Sequence, residues 1–239
     1  MDALEGHLTT GDLVTLNRAA TVARLLAGVT HEVNNALHVI SGSAELMEEN
    51  PAAVETVAKG AARIRAQTAR AAGAIAEVLA FARDDPEARG RVNVREIAAR
   101  AVALRKFSVG RAGLTMAFDA PETVSFLADG SRVLLQQAVL NLIANAEQAL
   151  AGQRGGAITV SLSADDRSMT LRVSDNGPGV AADQRERIFD PFVTSRSRVE
   201  SPGIGLTAAR HIASTHGGSL ALEDVPSGAS FALKLPLGL

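Results

Sequence analysis

The sequence predicts a helical hairpin that two copies complete to a four-helix bundle, followed by an α/β sandwich of helices on a mixed sheet. Three observations carry this expectation. Apolar residues recur at heptad spacing through the first part of the chain. A charged stretch with proline and glycine, RDDPEARGR at 83–91, interrupts that pattern. Beyond it, short alternating runs of strand type are interleaved with helical ones, the texture of a layered α/β domain.

Residues 12–84 read as helix. Leu26, Val33, Ile40 and Met47 recur every seven residues, with Val29, Ala36 and Ser43 three places after the first three of them. From Val54 an alternation of three and four runs through Val57, Ala61, Ile64, Thr68, Ala71, Ile75, Val78 and Ala82. Sustained heptads signal a coiled coil or helical bundle. Asn50-Pro51 breaks the pattern and reads as N-cap and first residue of a second helix. Helices joined so tightly are antiparallel neighbours, and a lone hairpin buries one stripe on each, so a homodimer is expected. Residues 1–11 read as an N-terminal tail, 12–84 as the hairpin domain, 85–91 as a linker and 92–239 as the second domain.

Within that domain, strands are expected at 114–118, 157–163, 169–175, 219–224 and 229–236, with helices near 94–106, 131–150 and 203–216. Turn-rich ADDRS joins two of the strands as a hairpin.

Composition narrows the chemistry. The 239 residues are 46% hydrophobic but only 3% aromatic, with neither Trp nor Tyr, so the core is built from aliphatic side chains. A formal charge of −2 gives no electrostatic footprint for nucleic acid. Absence of Cys excludes disulfides, thiolate metal sites and cysteine nucleophiles. No apolar run long enough to span a membrane occurs, and the start MDALEGHLTTGD lacks the form of a signal peptide. A cytoplasmic location is expected.

One stretch of the first helix, AGVTHEVNNALHVISG at 27–42, is dense in polar chemistry. With Leu26 at heptad position a, the seam holds Val29, Val33, Ala36 and Ile40. His31 and His38 then fall at f, Asn34 at b, Asn35 at c and Glu32 at g, an outward face. His31 and Asn35 lie one helical turn apart. Such a face is either plain solvated surface or a surface nucleophile. A zinc site of the HExxH kind is set aside, because Asn35 stands where the second His is needed. Neutral imidazole is a competent nucleophile near neutral pH. Glu32 is placed to take the departing ring proton and Asn35 to orient a water. A nucleophile on an open face needs its electrophile delivered by another domain.

The second half carries candidates for that delivery. SDNGPGV at 174–180 closes a strand with a carboxylate, an amide and two glycines. SPGIGLTAAR at 201–210 opens a helix with Gly203 and Gly205, where free N–H groups and the helix dipole favour phosphate. NLIANAEQAL at 141–150 places Asn141 and Asn145 one turn apart in an apolar helix. Amide oxygen beside triphosphate suits Mg²⁺.

Together these stretches resemble the cytoplasmic core of two-component sensor histidine kinases over about residues 12–237. HEVNNAL resembles the family's phosphoacceptor box, NLIANAEQA its N-box and DNGPG its first glycine box. IFDPFVTSR resembles its phenylalanine box, GIGL its second glycine box, and HGGSLALED and GASFALKLP its closing strands. The resemblance implies a GHKL (Bergerat-type) ATP-binding fold behind a dimerisation and phosphotransfer hairpin.

It also implies roles. His31 would be phosphorylated, with Glu32 as general base and Asn35 positioning water to dephosphorylate the partner. Asn145 would hold Mg²⁺, with Asn141 near the phosphates of ATP. Asp175 would accept from the adenine amino group, and Gly177 and Gly179 would clear room for the base. Gly203, Gly205 and Leu206 of the second glycine box would lie at the phosphates, Arg196 on a lid would touch the γ-phosphate, and Ser230 would sit near adenine. The implied partner is a response-regulator receiver domain, with input from a separate sensor protein, from the bundle itself or from a segment outside this sequence. Two departures stand out: Ala36 replaces a proline common after the asparagine, and Ser201-Pro202 replaces a usual Gly-Thr. His38, followed by Val39, lacks an adjacent base. His7 is expected to be inert, and His211 and His216 structural. Alternatives from other classes are a different ATPase on the same fold, like those of gyrase or MutL, and a non-catalytic dimeric adaptor.

Overall fold

The computed structural model describes residues 9–193 and 203–238. Two compact units make up the chain. One is Val22–Asp84; the other joins the segment up to Thr21 with the chain from Asp85 onward.

The first unit is an antiparallel helical hairpin. Helix α1 runs Thr10–Glu49 and helix α2 runs Val54–Arg83. The break at 50–53 is where the sequence put it, but Asn50 is not the N-cap and Pro51 lies in a turn. Instead the Asn50 amide donates to the Leu46 carbonyl, closing α1, and Ala53 precedes α2.

The apolar stripe that meets the neighbouring helix follows the expected one at Ala36, Ser43 and Val78 and departs from it at particular positions. Leu25, Ala36 and Ser43 are buried on α1, whereas Leu26 is 47% exposed. On α2 the buried positions are Gly60, Val78 and Phe81, while Val54 is 81% and Ile75 41% exposed. A shift of one residue at such a position turns the side chain by about 100°. The hairpin covers one face of each helix and leaves apolar side chains exposed on both. Gly60 permits the close packing: a Cβ there would lie 2.6 Å from the Met47 sulfur and 3.4 Å from the Ser43 carbonyl oxygen.

The second unit is a two-layer sandwich. Its elements are β1 (Gly90–Asn93), α3 (Val94–Arg111), β2 (Thr115–Asp119), β3 (Leu127–Gly130), α4 (Arg132–Ala149), β4 (Ala157–Ala164), β5 (Ser168–Asp175), α5 (Gly205–Thr215), β6 (Ser219–Glu223) and β7 (Ala229–Pro236). The main sheet has the order β2-β4-β5-β7-β6, parallel only between β2 and β4. The sequence missed β1 and β3, which pair in a separate small sheet. Both are four residues long, and β1 begins in the last two residues of the stretch read as linker.

Strand alternation builds the core. Val160, Val173 and Phe231 are paired neighbours across the sheet and are all buried. With Leu162, Leu171 and Leu233 they bury one face, against which α4 and α5 lay Leu142, Ile143, Ala208 and Ile212. The other face carries Ser161, Ser163, Arg172, Ser174 and Ser230. Caps fix the helix starts: Asn93 accepts from Arg95 and Glu96 N–H at α3, and Ser131 accepts from Leu134 N–H at α4.

His216 closes α5 structurally, as expected. Its Nε2 accepts from Ser131 N–H at 2.9 Å and its Nδ1 lies 2.7 Å from the Ile212 carbonyl oxygen, so the ring serves as the neutral tautomer. Burial, with Arg89 nearby, holds its pKa below the ordinary histidine value. The fold therefore favours neutral His216, a contribution fully present above the unfolded pKa of about 6.5 and lost as pH falls. The thermal midpoint is expected to fall between pH 7 and pH 5, and to fall less in His216→Gln. An equal fall in both proteins would remove His216 as the cause.

Candidate functional site

On α1, His31, Asn34, Asn35 and His38 are all exposed. The outward face expected for them is present. Glu32 departs from it, because its side chain is only 16% exposed and turns toward α2. There Arg70 Nε donates to Glu32 Oε1 at 2.7 Å. The sequence reasoning missed Arg70. A usable signal existed, since Glu32 and Arg70 lie nearly equally far from the turn at 50–53 and so come opposite each other in an antiparallel hairpin.

In the second unit, Asp175 ends β5 on the core face, paired across the sheet with Ile158 and Ala229. It is 7% exposed. Oδ1 accepts from Gly177 N–H at 2.9 Å, while Oδ2 is buried with no hydrogen-bond partner. Burial pushes the carboxyl pKa up, and N–H bonds from Gly177 and Ala229 oppose that rise. A buried oxygen with an open acceptor position is costly unless a ligand donor fills it.

The glycines beside it are required. A Cβ on Gly177 would lie 2.8 Å from Asp175 Oδ1 and 3.4 Å from Leu150 Cδ2. Gly179 has φ +76°, and a Cβ there would meet the Gly228 carbonyl oxygen at 2.8 Å. The first glycine box thus wraps the carboxylate and abuts the end of α4.

Helix α4 then leads to the second box. Gly205 is the first residue of α5, and its Cβ position lies 3.9 Å from the Asn141 side chain. Leu206 is half-buried beside it. Asp175 with Gly177 and Asn141 with Gly205 therefore sit along one helix. Asn145, one turn beyond Asn141, is half-buried. Among the described residues no group of three or more His, Cys, Asp and Glu gathers for a metal.

Three expectations change. Asn141 is 3% exposed. Its Nδ2 donates to Asn17 Oδ1 at 2.7 Å, and Thr21 Oγ1 lies 3.5 Å from its Oδ1. Gln137 donates to the same Asn17 oxygen and to the Val14 carbonyl. The first turns of α1 thus belong with α4, which moves the domain boundary expected at residue 12 to about residue 21. Asn17, a polar residue among Leu13, Val14 and Leu16, was the overlooked signal. Ser230 does not face the site. It pairs with Ser174 on the opposite sheet face and donates to Glu223 Oε2 at 2.9 Å, and Ala229 takes the place beside Asp175. Arg196, Ser201, Pro202 and His7 lie outside the described residues.

Two family models match the chain. Residues 21–87 match the His Kinase A (phospho-acceptor) domain. Residues 130–239 match the histidine kinase-, DNA gyrase B-, and HSP90-like ATPase family. The C4-dicarboxylate transport sensor protein DctB of Rhizobium meliloti is 34% identical over 227 residues, covering 94% of this chain and 36% of that protein. The probable sensor histidine kinase TcrY of Mycobacterium tuberculosis is 33% identical over 224 residues, covering 90% of this chain and 46% of that protein. The chain therefore spans less than half of either relative. The structure of histidine kinase ThkA in complex with response regulator protein TrrA aligns with a TM-score of 0.54 at 21% identity, covering 92% of this chain and 63% of that one. At that identity it shows a shared fold.

Proposed function

The chain belongs to the two-component sensor histidine kinases, and we propose on that premise that it phosphorylates His31 from ATP and passes the phosphoryl group to a response-regulator aspartate. The observation that carries the nucleotide half is the buried, unpartnered Oδ2 of Asp175. It is an acceptor beside the first glycine box, suited to the adenine amino group. Side chains at Gly177 and Gly179 would crowd Asp175 Oδ1 and the Gly228 carbonyl oxygen, and the Gly203–Leu206 turn at the start of α5 offers its N–H groups to the phosphates. Asn145 holds Mg²⁺ through its amide oxygen. When bound, that ion neutralises phosphate charge and orients the γ-phosphoryl group. Arg196 is assigned to the γ-phosphate by its place in the sequence motif.

On α1, one ring nitrogen of His31 attacks the γ-phosphorus while Glu32 takes the proton from the other. Asn35 orients the water that later hydrolyses the phosphorylated regulator. Two chains form the phosphotransfer bundle: Leu26 and Leu37 on α1 and Val54, Ile75 and Leu79 on α2 are exposed apolar side chains, the stripes left open by the hairpin. The complex of ThkA with a response regulator supports a receiver domain as the partner. No described helix is long and apolar enough to cross a membrane, and ATP supply favours the cytoplasm.

Incubation with γ-labelled ATP tests the reading: label should be acid-labile and base-stable, the signature of a phosphohistidine. Absence of label from the intact dimer with Mg²⁺ would reject it. The division of labour on α1 has its own check. Glu32→Ala should slow autophosphorylation roughly a hundredfold or more, the range of a lost general base. Asn35→Ala should keep that rate within about twofold and slow regulator dephosphorylation on the order of tenfold, through a misplaced water. Loss of kinase activity in Asn35→Ala, with folding and dimerisation intact, would move Asn35 into the phosphorylation machinery.

A further inference from the structure

We propose that Arg70 is a positioning residue for the phosphorylation of His31, holding the Glu32 carboxylate where it takes the imidazole proton. The inference rests on the roles given above to His31 and Glu32. It starts from the Arg70 Nε to Glu32 Oε1 bond of 2.7 Å across the hairpin.

The pair is poorly suited to a stabilising role. Arg70 is 56% exposed at its side chain although Glu32 is only 16% exposed, and solvent around the guanidinium screens the pair and weakens it as a stabiliser. Close packing of Gly60 against Met47 and Ser43 already joins the two helices. What the bond does change is the freedom of Glu32. A glutamate side chain has several rotamers, and the bond from Arg70 selects one of them.

Fixation matters because the proton and the phosphoryl group move together. As one ring nitrogen forms its bond to the γ-phosphorus, the P–O bond to ADP breaks and ADP leaves. The N–H bond on the other ring nitrogen breaks, and its proton passes to Glu32. The products are phosphohistidine, ADP and a protonated carboxyl. A base must stand within hydrogen-bond reach for this to occur, and a small misplacement is expensive in rate. A carboxylate has about four acceptor directions, so the bond from Nε leaves Glu32 able to accept the imidazole proton.

The test measures autophosphorylation of the full-length dimer at saturating Mg²⁺-ATP in four variants: Arg70→Met, Arg70→Lys, Glu32→Gln and the double variant Arg70→Met/Glu32→Gln. Arg70→Met is expected to lower the rate constant about tenfold with the KM for ATP unchanged, and Arg70→Lys to recover most of it. In the Glu32→Gln background, Arg70→Met should slow the reaction no further, because its effect passes through the carboxylate. Equal slowing in both backgrounds, a raised KM for ATP, or no slowing in Arg70→Met would overturn the proposal. A Glu32→Gln variant as fast as the wild type would overturn it together with the base assignment. Acid-labile label on the wild-type protein keeps the kinase reading standing whatever the Arg70 variants do. Circular dichroism and solution mass of each variant separate these outcomes from misfolding.

Discussion

His31→Gln is expected to abolish acid-labile labelling from γ-labelled ATP while nucleotide affinity stays at the wild-type value. Glutamine retains a polar side chain of similar reach but has no nitrogen able to form a phosphoramidate. His31 is exposed on α1 within the unit Val22–Asp84, whereas Asp175 and the glycine boxes belong to the other unit, so the nucleotide recess should be untouched. His38 is the control. It is exposed on the same helix, one heptad on, but Val39 supplies no base. Label that persists in His31→Gln and disappears in His38→Gln would transfer the phosphoacceptor role to His38.

Asp175→Asn separates binding from folding. In the wild type, Oδ1 is held by Gly177 and Oδ2 is buried without a partner. Asparagine keeps an oxygen for the Gly177 N–H but turns an NH₂ toward the adenine amino group, donor against donor. Loss of a hydrogen bond to a charged acceptor is expected to cost about 1.5–3 kcal/mol, roughly a ten- to hundredfold weaker Kd for ATP. Stability should move the other way. Burial raises the Asp175 pKa, so the fold penalises the ionised form. That penalty is full above the raised folded value and vanishes below the unfolded value of about 3.9. Neutral asparagine escapes it, and the ligand-free variant should melt at or above the wild-type temperature at pH 7. Titration calorimetry and a thermal melt provide the two readings. Unchanged ATP affinity would mean that adenine binds elsewhere, and a large loss of stability would mean that Asp175 holds the fold rather than the ligand.

Much of this molecule was legible because its signals are local. Heptad spacing marked both helices of the hairpin, the charged Pro-Gly stretch marked the division, and two-residue alternation marked the five strands of the main sheet. The glycine boxes also declared themselves, since a φ of +76° at Gly179 is a backbone demand that sequence records directly. The short strands Gly90–Asn93 and Leu127–Gly130 were not legible, because four residues carry too little periodicity and their pairing joins distant segments.

By itself, the sequence determined the order of the helices and main-sheet strands and which residues have the composition to react. Only the tertiary structure decided which way those residues turn. On α1 the packing buries Leu25 where the heptad pattern pointed to Leu26, one residue or about 100° around the helix. Strand pairing sends Ser230 to the outer face and sets Ala229 beside Asp175. Asn141 finds Asn17 across more than a hundred residues of chain, and Glu32 finds Arg70 on the neighbouring helix. Each of these is a contact between segments far apart in sequence, set by packing and register, and no local pattern encodes it.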